Sequence, residues 1–569
     1  MQLFTKIGLV LATVLALAAS PSLAAAKPKP VAATVSSRAL TAGAVASPDR
    51  YGALAAEEIL RKGGNAVDAA VATAFALAVT YPEAGNLGGG GFMTLYVDGK
   101  PYFLDYRETA PAAATVGMYL DAKGEAVAAR SQFGNLAVAT PGTVRGMAMA
   151  HKRFGKLSWA QVLAPAIRYA REGFLVTPQL IGNLEDAQAS FVGVTNFDAR
   201  FGGLKAGAVF RQPELAATLQ RIAKGGDAEF YTGKTADLLV AQMARGGEKG
   251  LITKADLAAY KAVWREPIQA DWRGFKVITA PPPSSGGIAL LQLLMMKQEA
   301  APLFSGVALN SPQYVHLVAE MEKRVFADRA EYLGDPDFWK VPVSNLIDPA
   351  YVARRAREID PAKPSPTPSV KPGLEKPQTT HFSIVDRWGN AVSNTYTLNG
   401  WFGSGVVVEG AGFLLNDEMD DFSAKPGAPN MFGVVGGDAN AVAPGKRPLS
   451  SMTPTILTRD GKVAMVIGTP GGSRIFTSVF QVLANIYDYG LPLDQAQKQR
   501  RFHHQLLPEN VIFSEPYEPF PAALTKALEA RGYRIEMGFV GDIEAIQVID
   551  GAPVPAADPR ARGVGKVVP

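Results

Sequence analysis

The chain has 569 residues, of which 47% are hydrophobic and 19% charged, a composition typical of a large globular protein. Its net charge of +5 is spread thinly, without a dense cluster of Lys and Arg, which argues against nucleic-acid binding. Cysteine is absent, which excludes disulfides and cysteine chemistry, and five His without an H-E-x-x-H motif argue against a zinc enzyme. We therefore expect no metal site and no cofactor.

Residues 1–24 have the pattern of a secretory signal peptide. Lys6 supplies a positive charge, an apolar run follows from Ile7 to Ala19, and Ala24 ends a small-residue cleavage site. The run is too short to span a bilayer comfortably, although an N-terminal anchor helix is the alternative interpretation. We expect a periplasmic or secreted protein without a stable membrane anchor.

The part of the chain before residue 361 is predicted to be rich in helices. The predicted elements are a helix over 51–62, an Ala-rich helix capped by Asn65 and ended by Pro82, strands over 92–97 and 101–106, a mostly helical stretch over 140–260, a strand over 275–280, and a helix from Ser311-Pro312 to Gly334.

A linker and a hairpin follow. Six prolines between 361 and 378 exclude a helix or a central strand there, so this stretch is either a linker or functional. Alternation over 380–385, a turn over 386–390 and a return strand over 391–398 predict a β-hairpin.

The hairpin places two threonines opposite each other. If it is symmetric about Trp388, Thr379 faces Thr397, and Asn399 shares a face with Thr397. A threonine hydroxyl needs a base, which its own α-amine supplies if the chain is cut just before it. Threonine is also a common strand residue, so the pair alone does not decide between catalysis and structure.

Eight motifs carry a family resemblance over nearly the whole mature chain. They are GNAVDAA at 64–70, GNLGGGGFM at 85–93, DYRETAP at 105–111, PPSSGG at 282–287, TTHFS at 379–383, NDEMDDF at 416–422, PLSSM at 448–452 and GTPGGSR at 468–474. In this order they resemble the γ-glutamyltransferases (γ-glutamyltranspeptidases), members of the N-terminal-nucleophile hydrolase superfamily.

The resemblance implies an α+β fold, a four-layer αββα sandwich formed jointly by two subunits from one precursor. Autoproteolysis between Gln378 and Thr379 would give a large subunit, 25–378, and a small catalytic subunit, 379–569, which pair as a heterodimer. Thr379 would be the nucleophile, and Thr397 would hold it in orientation.

The remaining site residues follow from the same resemblance. Gly471 and Gly472 would provide the backbone N–H donors for an oxyanion; alone, the pair would be an ordinary turn, and no Lys-Ser or Lys-Thr follows to make a phosphate loop. The substrate's α-carboxylate would be bound by Arg107, Ser450 and Ser451, and its α-ammonium by Asn399, Glu418 and Asp421. Alone, the acidic run 418–421 would be an exposed loop or a cation site.

Residues 425–447 resemble a lid over the donor site. Phe432 stands where several relatives have Tyr, and it lacks the hydroxyl that would bond Asn399. The lid is therefore expected to be latched less firmly here.

The expected activity is cleavage of γ-glutamyl amides, glutathione included, with transfer to amino acids, peptides or water. Asp421 favours glutamyl over glutaryl donors, because a glutaryl group has no ammonium for that carboxylate to bind. The alternatives are a glutaryl or cephalosporin-type β-lactam acylase of the same superfamily and a catalytically inactive periplasmic binding protein.

Overall fold

The computed structural model describes residues 38–367, 379–425, 431 and 437–569. The predicted signal peptide, linker residues 368–378 with Gln378, and most of the predicted lid with Phe432 lie outside these described residues.

The strands follow each other along the chain as follows. They are β1 (Gly43–Ser47), β2 (Gly90–Val97), β3 (Lys100–Asp105), β4 (Phe174–Leu175), β5 (Val209–Phe210), β6 (Val263–Arg265), β7 (Ile268–Trp272), β8 (Phe275–Thr279), β9 (Thr380–Val385), β10 (Ala391–Thr397), β11 (Thr455–Arg459), β12 (Lys462–Gly468), β13 (Phe502–His503), β14 (Val511–Ser514), β15 (Arg534–Met537), β16 (Glu544–Ile549), β17 (Ala552–Ala557) and β18 (Val564–Val568).

Two large antiparallel sheets contain most of these strands. The first has the order β18-β1-β9-β10-β2-β3-β6 and the second the order β17-β16-β12-β11-β8-β7. Both large sheets combine strands from before and after the predicted cleavage point, so neither half of the chain forms either large sheet alone. The short strands form β13-β14-β15 and β4-β5.

Helices account for most of the remaining regular structure. They are α1 (Arg50–Arg61), α2 (Ala66–Thr80), α3 (Ala128–Gln132), α4 (Thr143–Phe154), α5 (Trp159–Glu172), α6 (Pro178–Phe191), α7 (Asp198–Phe201), α8 (Pro213–Gly225), α9 (Ala228–Thr232), α10 (Lys234–Met243), α11 (Lys254–Ala259), α12 (Gly286–Glu299), α13 (Ala301–Phe304), α14 (Pro312–Tyr332), α15 (Val343–Leu346), α16 (Pro349–Arg357), α17 (Arg474–Tyr487), α18 (Leu493–Lys498) and α19 (Ala522–Glu529). The predicted helices and strands before residue 361 are confirmed, with ends shifted by one or two residues.

Three hydrophobic cores stack the elements into four layers. The outer face of the first sheet packs on α1, α2 and α5, as Phe75 and Leu95 illustrate. The outer face of the second sheet packs on α12, α14 and α17, as Val318 and Ile467 illustrate. Small and branched residues such as Ala44 and Val466 fill the space between the sheets. The predicted αββα sandwich is confirmed.

The long buried helix α2 begins where the sequence predicted. The Asn65 side chain accepts from the N–H groups of Val67 and Asp68, and the Asp68 carboxylate accepts from the Asn65 N–H in return. Every residue of α2 is buried. The small alanine side chains suit a helix that is packed on all sides. A helix with only one buried face would not require them.

The predicted hairpin register is confirmed. Ala391 pairs with Val385 and Tyr396 with Thr380, which centres the hairpin on Trp388. The Asp386 carboxylate organises the turn by accepting from the N–H groups of Trp388 and Asn390, at 2.9 and 3.0 Å.

Within residues 38–367, 379–425, 431 and 437–569, no helix is both long and apolar enough to cross a bilayer.

Candidate active site

Thr379 and Thr397 lie at the open end of the β9–β10 hairpin. The register pairs Thr380 with Tyr396, so one further step brings Thr379 opposite Thr397. Both threonines are only 3% exposed. Residues 379, 381 and 383 share the hairpin face that looks onto the second sheet, because Ser383 Oγ donates to the carbonyl oxygen of Glu544 at 2.9 Å.

One cavity collects the predicted site residues. Its lining includes nine of the ten predicted catalytic and substrate-binding residues, which are Arg107, Thr379, Thr397, Asn399, Glu418, Asp421, Ser450, Ser451 and Gly472. Gly471 precedes Gly472 and is not part of the lining. Residues separated by more than 300 positions in sequence therefore meet at one place in the fold.

Arg107 is the electrostatic centre of this cavity. Its guanidinium forms ion pairs with Glu418 and Asp421, and its Nη1 lies 3.6 Å from Glu108 Oε2. Asp105, at the end of β3, helps to fix the backbone by accepting from the Arg107 N–H at 2.9 Å. Arg107 itself is 1% exposed. A buried guanidinium is thus balanced by carboxylates rather than by water.

Three carboxyl groups contact one guanidinium at this site, which is an excess of acidic groups. Burial raises the pKa of Glu108 to about 7, against the opposing effect of Arg107. Burial likewise raises the pKa values of Glu418 and Asp421. These carboxylates in turn raise the pKa of Arg107, although its burial opposes them. A bound cation would relieve this excess.

Asn399 reaches the cavity in a way that the strand argument did not predict. Strand β10 ends at Thr397, and Asn399 has a φ of 77°, so the two residues do not share a strand face. The Asn399 N–H donates to Thr397 Oγ1 at 2.8 Å, and its Nδ2 donates to the Asp417 carbonyl at 3.1 Å. The prediction of a shared face was wrong because the chain turns directly after Thr397, but the predicted cluster forms.

Ser450 and Ser451 are held by the segment that begins α12. The Ser285 N–H donates to the Ser450 carbonyl at 2.7 Å. Arg329, on α14, donates to Ser285 Oγ at 3.0 Å and to Ser451 Oγ at 3.2 Å. The two serines are therefore fixed from the helical layer behind them.

Gly471 and Gly472 connect β12 to α17. Both have positive φ, 140° and 55°, a conformation that favours glycine. They directly precede Ser473 and the first turn of α17, where backbone N–H groups and the helix dipole favour negative charge. The arrangement can stabilise an oxyanion in the cavity beside Thr379.

Several residues of the site were not predicted from the sequence. Glu108 was not assigned a role, although an acid beside the predicted cation was an available signal. Arg329 had no local signal, because its partners Ser285 and Ser451 are 44 and 122 residues away. Met452, Ser473 and Ile475 complete the cavity lining. In the part of the chain that the structure describes, no cluster of His, Asp and Glu is arranged to hold a metal ion.

Comparisons with known proteins show the family to which the chain belongs. A family model described as gamma-glutamyltranspeptidase matches residues 52–568. The glutathione hydrolase proenzyme of Pseudomonas aeruginosa is 63% identical over 549 residues, covering 96% of this chain and 97% of that protein. These matches extend over nearly the whole chain rather than over single motifs.

Two solved structures are similar. The gamma-glutamyltranspeptidase of Pseudomonas nitroreducens, complexed with L-DON, is 61% identical with a TM-score of 0.57, covering 57% of this chain and 97% of that chain. The cephalosporin acylase of Bacillus halodurans has a TM-score of 0.80 at 29% identity, covering 96% of this chain and 98% of that chain. Since the family model spans almost every described residue, the chain belongs to the gamma-glutamyltranspeptidase family, and it is an enzyme.

Proposed function

We propose that this enzyme is a self-processing γ-glutamyl transferase and hydrolase that cleaves γ-glutamyl amides, glutathione included. The observation that carries the proposal is the single cavity that joins the Thr379–Thr397 pair to the Arg107, Glu418 and Asp421 cluster. The first offers a nucleophile and the second offers charges that complement an amino acid.

Self-processing creates the nucleophile. Thr379 Oγ attacks the Gln378 carbonyl, the amide becomes an ester, and water hydrolyses that ester to release Thr379 as a chain terminus. The products are a large subunit, 25–378, and a small subunit, 379–569. The new α-amine has an ordinary pKa of about 7.7–8.0. It can therefore accept the hydroxyl proton near neutral pH, while Thr397 positions the hydroxyl.

Catalysis proceeds through a γ-glutamyl ester on Thr379. The hydroxyl attacks the γ-carbonyl, and the N–H groups of Gly471 and Gly472 stabilise the oxyanion that forms. The loss of one such donor costs about 100-fold or more in rate. The ester is then opened by water in hydrolysis, or by the amine of an amino acid or peptide in transfer.

Donor recognition uses the charged groups that pair with each other in the cavity. Arg107, with Ser450 and Ser451, binds the α-carboxylate, for which a guanidinium offers two parallel donors. Glu418, Asp421 and Asn399 bind the α-ammonium. When a γ-glutamyl group binds, the ion pairs between Arg107 and the two carboxylates are replaced by two ion pairs with the substrate, one at its α-carboxylate and one at its α-ammonium.

The same charges favour γ-glutamyl over glutaryl donors. A glutaryl group has no ammonium, so it would leave Glu418 and Asp421 without a ligand cation. The similarity to a cephalosporin acylase extends over the fold at 29% identity. It does not explain why the cavity contains these two carboxylates. A faster rate with glutaryl amides than with γ-glutamyl amides would contradict this preference.

The proposed maturation and location are those of an exported proenzyme. The P. aeruginosa relative is named a proenzyme. The match to the P. nitroreducens structure covers 97% of that chain but only 57% of this one, as expected if that chain is one of two fragments. Together with the signal-like residues 1–24, this supports a periplasmic or secreted heterodimer of large and small subunits. Residues 425–447 would serve as a lid.

A denaturing gel of purified protein and of two variants tests the proposal. Thr379→Ala should remain one uncut band and release no p-nitroaniline from γ-glutamyl-p-nitroanilide, whereas the wild type should give two bands and activity. Thr380→Val is the matched control. Thr380 is buried in β9, its Oγ1 has no hydrogen-bond partner among the described residues, and it does not line the cavity.

The control should be cut and active, because valine keeps the branched shape of threonine. A processed and active Thr379→Ala variant would refute Thr379 as the nucleophile. An uncut wild-type band with full activity would refute the requirement for processing.

A further inference from the structure

Arg329, on α14, contacts the serine segment of the cavity without lining the cavity itself. Its Nε donates to Ser285 Oγ at 3.0 Å, and its Nη2 donates to Ser451 Oγ at 3.2 Å. Ser451 lines the cavity, whereas Arg329 does not. The guanidinium is buried, at 7% exposure. A residue in this position can affect a ligand through the hydroxyl groups that it contacts and through its charge.

The hydrogen bonds of Arg329 restrict how these hydroxyl groups can be used. A guanidinium can only donate, whereas a hydroxyl has one hydrogen and two acceptor positions. Ser285 and Ser451 therefore both accept from Arg329 and keep their own hydrogens for other partners. Ser285 uses its hydrogen on the carbonyl oxygen of Ser450, at 2.8 Å.

The hydrogen of Ser451 is thereby left to Ser285 or to a ligand. The two hydroxyl oxygens are 3.4 Å apart, which is long for a hydrogen bond between hydroxyl groups. A carboxylate can only accept, and it forms shorter and stronger bonds with a hydroxyl. Ser451 is therefore oriented to donate to an anion in the cavity.

Ser450 is arranged in the same way, but its partner is neutral. Its Oγ accepts from the Met452 N–H at 3.1 Å, so its own hydrogen can also be donated. Ser451 differs because it accepts from a positive charge. Consecutive hydrogen bonds polarise one another, and a charged donor at the start of such a chain makes the last hydroxyl a stronger donor.

The charge of Arg329 also acts on the cavity directly. Burial raises the pKa of Asp421, and the positive charge of Arg329 opposes this rise, as does that of Arg107. Asp421 lines the cavity together with Ser451. The field of Arg329 therefore extends to the place where the donor's charged groups are proposed to bind.

We propose that Arg329 is a positioning residue that determines donor specificity, because it holds the Ser451 hydroxyl with its hydrogen directed to the donor's α-carboxylate. This inference rests on the proposed function and deepens it. It predicts that loss of Arg329 weakens the binding of donors that carry this carboxylate and has little effect on donors that lack it.

Two donors that differ only in the α-carboxylate test this assignment. They are γ-glutamyl-p-nitroanilide and 4-aminobutyryl-p-nitroanilide, and initial rates of p-nitroaniline release give kcat and KM for the processed enzyme. The variant is Arg329→Met, because methionine fills similar space and cannot donate.

Arg329→Met should raise the KM for the γ-glutamyl donor about tenfold, as the loss of a hydrogen bond to a charged group would. Its kcat should change less than about twofold, because the carboxylate is held equally in the ground state and in the transition state. The ratio of kcat/KM for the two donors should fall about tenfold as well. A merely structural role would instead lower kcat/KM for both donors by the same factor, and that result would overturn the proposal.

A double-mutant cycle with Ser451→Ala gives a second measurement on the γ-glutamyl donor alone. It decides the question even if the shorter donor reacts too slowly to be measured. In the Ser451→Ala background, Arg329→Met should raise KM less than about twofold, because the hydroxyl on which it acts is absent. Additive effects of the two substitutions would overturn the proposal.

Arg324→Met is the matched control. Arg324 is also on α14 and is 6% exposed, and it donates to the carbonyl oxygens of Arg355 and Glu358 rather than to the serine segment. Its KM and donor ratio should equal those of the wild type. An equal rise of KM in this control would show that the loss of any guanidinium from the helix suffices, which would overturn the assignment to Arg329.

A second variant covers the case in which Arg329→Met does not fold. Arg329→Gln keeps a polar group but is too short to contact both Ser285 and Ser451, so KM and the donor ratio should change in the same direction. Wild-type values in this variant would overturn the proposal. A wild-type enzyme that releases no p-nitroaniline from γ-glutamyl-p-nitroanilide would instead refute the proposed function.

Discussion

At the scale of single residues, Arg107 explains how several charged groups can be buried together in the proposed donor site. Its partners Glu418 and Asp421 are the groups proposed to bind the substrate ammonium. These opposite charges pair with each other, which offsets part of the cost of burying them. Substrate binding then replaces these ion pairs with ion pairs to the substrate. The affinity therefore depends on the difference in free energy between two states that both contain paired charges.

His381 allows a prediction about stability and pH. It follows Thr379 by two residues on the same face of the hairpin. Its ring nitrogens contact Thr395 Oγ1 at 2.7 Å and Ser383 Oγ at 3.1 Å. Burial lowers its pKa to about 3. In the unfolded chain the pKa of His381 is about 6.5, so below this pH the unfolded chain binds a proton that the folded chain does not. The free energy of unfolding therefore decreases by about 1.4 kcal/mol for each further pH unit.

As the pH falls from about 7 to about 5, the free energy of unfolding should therefore decrease less in His381→Gln than in the wild type. The difference in stability between the two proteins should become smaller. Glutamine does not titrate, so the variant avoids this loss even if it is less stable at neutral pH. The measurement is the thermal unfolding midpoint of both proteins across this range. Thr395→Val removes the hydroxyl but keeps the histidine, and it should retain the wild-type slope. Parallel curves for His381→Gln and wild type would contradict the assignment.

At the scale of elements, the hairpin turn sets the position of Thr379, the proposed nucleophile. The Asp386 carboxylate accepts from the N–H groups of Trp388, Asn390 and Ala66, the last at 3.0 Å at the start of α2. It also accepts from Asn390 Nδ2 at 2.8 Å. One side chain thus fixes both the turn and its attachment to the helical layer.

Asp386→Ala should slow self-processing and lower the unfolding midpoint. The lost hydrogen bonds correspond to roughly 2–4 kcal/mol, and a loosened turn weakens the register that pairs Thr379 with Thr397. A time course on denaturing gels measures processing, and scanning calorimetry of the Thr379→Ala background measures stability without cleavage. Asp386→Asn retains an acceptor oxygen and should be affected less. Processing at the wild-type rate in Asp386→Ala would show that the turn does not set the register.

The hairpin also shows what the sequence could predict. Its register depends on local alternation and a short turn, so counting outwards from Trp388 was sufficient to pair Thr379 with Thr397. The course of the chain after Thr397 depends on contacts of Asn399 with Asp417 and was not visible in that alternation. The residues proposed to bind the donor were predicted from motifs in family order, since nothing local links Arg107 to Glu418. Arg329 remained unassigned because its partners Ser285 and Ser451 lie in distant segments of the chain.

At the scale of the whole molecule, the two proposed subunits are interleaved. Strand β1 lies between β18 and β9, which both follow the proposed cleavage point, and β10 pairs with β2, which precedes it. In the second sheet, β11 pairs with β8 across the same divide. This strand order could not be derived from the sequence pattern, because it depends on pairings between segments hundreds of residues apart.

Because of this interleaving, cleavage should leave the two subunits in one particle. Separation would break backbone hydrogen bonds in both sheets and expose cores that both subunits line, at a large cost in buried apolar surface. Gel filtration of processed enzyme should give one peak containing both bands, at the elution volume of the uncut Thr379→Ala precursor. Both bands should also leave this peak together in a urea series. A large subunit that elutes alone without denaturant would show that the shared sheets do not hold the halves together.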